Sequence, residues 1–415
     1  MERGGVTVKG KRAKIMLVVC DGMGDLPCRE LAGKTPLEAA KTPNLDRLAA
    51  EGITGIMDVL GKGLTPSSDR GHLALFGYDF KKIRVGRGPI EALGIKMNLK
   101  HGDVAFRGNL GTVDRERRIL DRRAGRIKNA VKLAKALNGM RIQGIQFLVK
   151  AGTSHRVAIV MRGPGLSEKV SDSDPHEEGK KALKVKATDR SGKAEFTASV
   201  LNEFLEKAHS ILSKHPLNAE RKRRGLPEAN FVLTRGAGAM KKVRSFREKY
   251  GLNACCIAGG GLYKGVAALV GMKVIDVRGA TGTPQTNIKG KISRAVKELK
   301  GKHDFVFVHI KGTDVFGHDG DAPAKKRFIE RIDAELKPLL ALEDAIVIVT
   351  ADHSTPCSKK DHSSDPVPLL LWGKGIKADS VQRFGERECG KGSIGRIRGI
   401  ELMGKVLSIA AGKRQ

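Results

Sequence analysis

Apolar residues along the chain fall into two kinds of run. Short unbroken ones, "KIMLVVCDG" (14–22), "DFVFVHIKGTD" (304–314), "DAIVIVTADH" (344–353) and "DPVPLLLWGKG" (365–375), have the length and continuity of strands buried on both faces. Among them, "TPLEAAKTPNLDRLAAEG" (35–52) and "FIERIDAELKPLLALE" (328–343) repeat apolar positions at helical spacing, the first with Pro43 as an interruption and a glycine stop. Strands alternating with helices predict an α/β fold built on a parallel sheet covered on both faces. From about 86 to 255 the pattern changes. Alternating stretches such as "GDVAFRGNLGTVD" and "HRVAIVMRG" precede a long helix near 194–213, as in an α+β domain. The chain is therefore expected to divide into 1–85, 86–255 and 256–415, the middle segment inserted into a core formed by the other two.

Composition narrows the classes of function. Apolar residues make up 40% of the 415, enough for a sizeable interior, while aromatics are 4% with one Trp, too few for base-stacking platforms. No run approaches the roughly 18 apolar residues that span a bilayer. The basic start "MERGGVTVKGKRAK" leads only into "IMLVVC", which is no signal peptide. A cytoplasmic protein without membrane partners is expected. The six cysteines form no C-x-x-C and read as reduced, buried thiols rather than a disulfide framework.

The formal charge of +32 suggests anionic partners, yet the basic residues run through the whole chain, with clusters at 115–128 and 220–225. That spread fits a solvated surface, or focusing of an anionic metabolite, better than specific nucleic-acid recognition. The sequence leaves homo-oligomer formation open.

The chemistry gathers at strand ends. Three predicted strands finish on polar groups: Asp21, Asp314 with His318, and Asp352-His353, with His362 in the loop beyond the last. In open α/β sheets, ligands bind outside the carboxyl ends of the strands. Carboxylates and imidazoles converging there suffice for two divalent cations. A nucleophile is expected in "TPSSDRGHLALFGYD" (65–79), where a serine at a helix start would meet exposed N–H groups that favour phosphate.

At these residues the sequence resembles the archaeal-type, 2,3-bisphosphoglycerate-independent phosphoglycerate mutases of the alkaline phosphatase superfamily. The likeness runs through "VVCDGMGDLPCRELAGKTPLEAAKTPNLDRLA", "SSDRGHLALFGYD", "SDSDPHEEG", "HIKGTDVFGHDGD" and "TADHSTPCSKKDHSSDPVPLL" in order. It implies an alkaline-phosphatase-like core with the insertion as a lid and substrate domain. The implied reaction interconverts 3- and 2-phosphoglycerate through a phosphoserine on Ser68, without 2,3-bisphosphoglycerate. One metal would use Asp21, Ser68, Asp352 and His353, the other Asp314, His318 and His362. Mn2+ is the ion expected, with Co2+, Zn2+ or Mg2+ as alternatives. Ser67 stands where the family often has glycine, and Arg70 replaces a smaller residue, so the choice between Ser67 and Ser68 stays open. Arg107, Arg123, Arg126 and Arg235 are implied grips for substrate anions, with Lys264 and Lys311 nearer the metals. Asp172, Asp174 and His176 would steer protons, and His155 is a further candidate. Sulfatases share the metal chemistry but need a C-x-P-x-R nucleophile, which the sequence lacks.

Overall fold

The computed structural model describes residues 14–83, 85–128 and 130–412, with backbone also at 7–8 and 11–12. It contains two compact units, one formed by Met1–Ile83 with Arg244–Gln415, the other by Arg84–Val243. The chain re-enters the first unit earlier than the boundary expected at 256. The reason lies in Phe246, fully buried with its ring 4.6 Å from that of Phe305 in the first unit's core.

The first unit holds an eight-stranded sheet. Its strands are β1 (Ile15–Cys20), β2 (Ile53–Asp58), β3 (Ala254–Ile257), β4 (Lys273–Val274), β5 (Phe305–Ile310), β6 (Ile346–Thr350), β7 (Val367–Gly373) and β8 (Gly395–Arg398). Their order across the sheet is β4-β3-β5-β1-β6-β7-β2-β8. Every residue of β1, β5 and β6 is buried, as continuous apolar runs require in strands covered on both sides.

The α/β class is as expected, but the sheet is not parallel throughout. β7 runs antiparallel to both β6 and β2, so the sheet is mixed. No crossover helix separates β6 from β7; the loop 351–366 stays at the edge where β6 ends, and a strand re-entering from that edge must run backwards.

The helices around the sheet follow their local chemistry. The helix expected at 35–52 with an interruption at Pro43 is two, α1 (Pro36–Ala39) and α2 (Pro43–Ala50), the second starting at that proline. Thr35 and Glu38 form a capping box on the first, and each begins with a proline at its first position. Next come α3 (Ser68–Leu75), α4 (Gly261–Leu269), α5 (Ile288–Lys300), α6 (Thr313–Asp319) and α7 (Ala322–Leu336).

The register of the central strands positions the site. Cys20 pairs with Ile310 and Val19 with Thr350, so β1, β5 and β6 finish almost level. The residues after each strand are thereby delivered to one edge.

The second unit is α+β. Strands Phe231–Ala239, Val104–Val113, Arg156–Arg162, Ile145–Ala151 and Arg141–Ile142 pair in that order, with Ile119–Asp121 beside Val104–Val113. The helix Gly192–Ser213 lays Val200, Leu201, Phe204 and Leu205 into the same core, and Phe204 stacks on Phe147 at 4.2 Å. No helix among the described residues is long and apolar enough to cross a membrane.

Candidate metal centre

Asp21 and Asp352 follow β1 and β6 directly, and both are fully buried. Asp314 lies in the first turn of α6, after β5. His353 Nε2 is 3.5 Å from Asp21 Oδ1 and 3.4 Å from Asp352 Oδ2. All three atoms are buried without a hydrogen-bond partner. Leaving such groups unmatched costs on the order of 1–3 kcal/mol each. Here three converge.

The histidine tautomers follow from their other nitrogens. Thr355 Oγ1 stands 3.0 Å from both Asp314 Oδ1 and His353 Nδ1. The carboxylate only accepts, so Thr355 donates to Asp314 and accepts from His353 Nδ1–H, leaving Nε2 bare. His362 Nδ1 donates to Pro66 O at 3.1 Å, and His318 Nδ1 to Lys360 O at 2.9 Å. Their Nε2 atoms each lie 3.3 Å from Asp314 Oδ1. Three imidazoles thus have Nδ1 held by an outer oxygen and Nε2 facing carboxylate oxygens, as metal-ligating histidines do around a cation.

Charge tells the same story. Burial pushes Asp21 up, but Lys311 and His309 outweigh it and hold the carboxyl well below its usual range. Burial also opposes Asp314, which His362 and Lys311 hold low. Asp352 goes the other way, up to about 7, through burial and the neighbouring Asp21 charge. Burial takes His353 down to about 4, so it is neutral and free to ligate. Lys311 donates to Asp314 and lies 3.4 Å from Asp21 Oδ2, and these carboxylates outweigh its burial to raise its pKa. Three carboxylates with one lysine are under-neutralised, which suits added positive charge. The donors, oxygen and imidazole nitrogen, fit divalent ions.

Two interlocking sets emerge: Asp21, Asp352 and His353, and Asp314, His353 and His362. His353 belongs to both, and His318 joins the second through Asp314. Ser68 opens α3 and Ser67 is its N-cap residue. That helix meets Asp352 closely, since a Cβ on Gly71 would lie 2.7 Å from Asp352 O, and His72 Nδ1 is 3.4 Å from Asp352 Oδ2. Lys264, on α4, pairs with Asp276 at 2.8 Å.

The remaining candidates lie in the second unit. Arg107 and Arg235 are direct cross-strand partners. Like charges opposed in this way destabilise a sheet. Burial takes Arg107 down to about 10 against the pull of Glu91, which lies 3.6 Å from its Nε, and the buried Nε atoms of both arginines make no hydrogen bond. Arg235 Nη1 lies 4.0 Å from Asp174, which Arg122 holds through two hydrogen bonds of 3.0 and 2.7 Å. Burial would raise Asp174, but the hydrogen bonds from Arg122 and from the His176 backbone outweigh it and hold the carboxyl below its usual range. His176 Nε2 is 3.4 Å from Asp172. His155 is taken down to about 4 by burial and by Arg156, Arg123 and Arg107. Arg123 and Arg126 are exposed.

Sequence reasoning assigned no role to His72, His309, Tyr263 or Arg122. His309 Nε2 donates to Asp21 Oδ2 at 2.9 Å, and its ring stacks on Tyr263 at 3.5 Å. An imidazole inside the apolar strand "FVFVHI" was the available signal, because a buried polar ring needs a partner.

Strand-end carboxylates and imidazoles with bare, converging lone pairs define a metalloenzyme, and the model of the metalloenzyme superfamily matches residues 13–408. Relatives make the assignment finer. A 2,3-bisphosphoglycerate-independent phosphoglycerate mutase of Archaeoglobus fulgidus is 48% identical, covering 95% of this chain and 97% of its own. One from Methanocaldococcus jannaschii is 44% identical, covering 98% and 99%. The solved cofactor-independent phosphoglycerate mutase of Thermoplasma acidophilum is 39% identical, with a TM-score of 0.75 over 96% of this chain and all of that one. The chain belongs to the 2,3-bisphosphoglycerate-independent phosphoglycerate mutase family.

Proposed function

We propose that this protein interconverts 3-phosphoglycerate and 2-phosphoglycerate without 2,3-bisphosphoglycerate, passing the phosphoryl group through Ser68. The observation that carries the reading is the convergence of Asp21 Oδ1, Asp352 Oδ2 and His353 Nε2, all unpartnered, beside the helix that Ser68 opens.

Asp21, Asp352 and His353, with Ser68, would hold one divalent ion. Asp314, His318 and His362 would hold the other, with Mn2+ the ion we favour. Such ions supply positive charge that makes a serine hydroxyl more acidic and offsets charge on a transferring phosphoryl group.

The chain's own groups do the rest. Ser68 Oγ gives up its proton and forms the new O–P bond as the bond from phosphorus to the glycerate oxygen breaks, and that oxygen takes up a proton. The glycerate turns, its other hydroxyl gives up a proton and attacks phosphorus, and Ser68 is released. The α3 N–H groups orient the phosphoryl oxygens. Lys311, charged throughout the neutral range, balances them. Arg107 and Arg235, opposed in register, suit the substrate's anionic groups, and Asp174 and His176 would move protons beside them. All six cysteines are free and buried, which fits a reducing cytoplasm.

The test is a coupled enolase assay on chelator-treated protein with single ions restored and no bisphosphoglycerate. Metal-dependent formation of 2-phosphoglycerate without free phosphate is expected. Release of phosphate in its place would make the protein a phosphomonoesterase.

A further inference from the structure

A second cluster of ligand-type side chains lies at the other end of the sheet. Cys255 pairs in register with Val306, which pairs with Met16, so it stands at the starts of the parallel strands. Five residues of strand separate that level from Asp21, roughly 16 Å. Cys255 Sγ, a carboxylate oxygen of Glu298 and a ring nitrogen of His303 all lie within 4.8 Å of one another. The residues are 0%, 8% and 1% exposed.

The orientation of these groups points inward. Arg294 Nε donates to Glu298 Oε1 at 2.8 Å, leaving Oε2 uncommitted to it. His303 Nδ1 is 2.7 Å from Oε2, a buried pairing that holds the two groups beside the thiol. With Cys255 Sγ they bound one small buried space, where an ion would replace the pairing of imidazole with carboxylate. The backbone holds the ring there, because His303 N donates to Glu298 O at 3.2 Å and His303 O accepts from Lys14 Nζ at 2.8 Å.

We propose that Cys255, Glu298 and His303 form a structural site for a borderline transition ion such as Zn2+, separate from the strand-end centre. Thiolate, carboxylate and neutral imidazole together carry two negative charges, the complement of a divalent ion. The thiolate selects against Mg2+ and Mn2+. A water completes the tetrahedron. Burial keeps the free thiol protonated, with its pKa up to about 12, so the sulfur–metal bond forms as the S–H proton passes to solvent. Arg294, Lys273 and Lys302 stand around the thiol and favour its anion. The ion would tie β3, the first strand of the sheet after the chain re-enters its core unit, to the end of α5.

The test exploits sulfur, which neither strand-end ligand set contains. Full-length, chelator-stripped protein is titrated with Co2+ and followed for a near-ultraviolet thiolate-to-cobalt charge-transfer band. The band should appear in the unaltered protein and in Asp314→Ala, and vanish in Cys255→Ser. His303→Gln, which keeps the thiol, should weaken the cobalt affinity read from that band at least tenfold, and it serves if the serine variant fails to fold. Absence of the band in the unaltered protein overturns the proposal, as does a band that persists in Cys255→Ser or a band that saturates at the same cobalt concentration in His303→Gln.

Discussion

His309 donates its Nε2–H to Asp21 Oδ2 at 2.9 Å, with both side chains fully buried. Burial takes the imidazole down to about 3, so it stays neutral and its proton stays on the nitrogen facing Asp21. The bond turns the other carboxylate oxygen, Oδ1, toward His353. His309→Ala should therefore weaken Mn2+ binding about 10–100-fold, the usual effect of losing an outer-sphere partner. Calorimetric titration of chelator-treated protein measures it, and His309→Gln, which keeps a donor, should recover part of the loss.

The two serines are separable by substitution. Ser68→Ala should lower turnover by at least about a thousandfold while the protein still binds Mn2+, because the nucleophile is gone and most metal donors remain. Ser67→Ala should cost little. The opposite ranking would transfer the nucleophile's role to Ser67.

Gly71→Ala sets two effects against each other. Alanine favours the helix by up to about 1 kcal/mol. Its Cβ, however, would sit 2.7 Å from Asp352 O, a backbone atom that cannot swing aside. α3 must shift by several tenths of an ångström, carrying Ser68 with it. We expect kcat to fall by about 10–100-fold with the melting temperature nearly unchanged, since small misplacements of reacting groups are costly.

Metal affinity should depend on pH with a defined sign. Without an ion, Asp352 holds its proton up to about 7, and a ligand must shed that proton to bind. His353, at about 4, is already neutral across this range. His362, which Asp314 holds above the ordinary imidazole value against burial, must shed its proton as well, so the apparent Mn2+ association constant should fall by about tenfold or more per pH unit below 7. A flat profile from acid to neutral pH would remove Asp352 from the ligand set.

Arg107→Gln tests the opposed pair in the second unit. Losing a charge-assisted contact worth about 1.5–3 kcal/mol should raise KM for 3-phosphoglycerate about 10–100-fold. Relief of the like-charge pairing with Arg235 should at the same time raise the melting temperature. An unchanged KM would take Arg107 out of substrate recognition.

The parts of this design visible in the sequence are those where one residue breaks a local pattern. Asp21, Asp314 and Asp352 stand out because each follows an unbroken apolar strand, and strand ends are where α/β sheets bind ligands. The direction of β7 was not visible, since an apolar run gives a strand but not its sense, and the sense is set by where loop 351–366 lies. The stacking of Tyr263 on His309 and the facing of Arg107 and Arg235 depend on which strands and helices become neighbours. Such pairings leave no spacing to read along the chain.

The place of β1 also carries a cost during synthesis. Its hydrogen-bonding neighbours are β5 and β6, which leave the ribosome only after residues 305 and 346 have been added. At about 5–20 residues per second, this wholly apolar hexapeptide waits roughly 15–60 s for either partner. Nascent chains halted before residue 305 should therefore be sticky and in need of a chaperone.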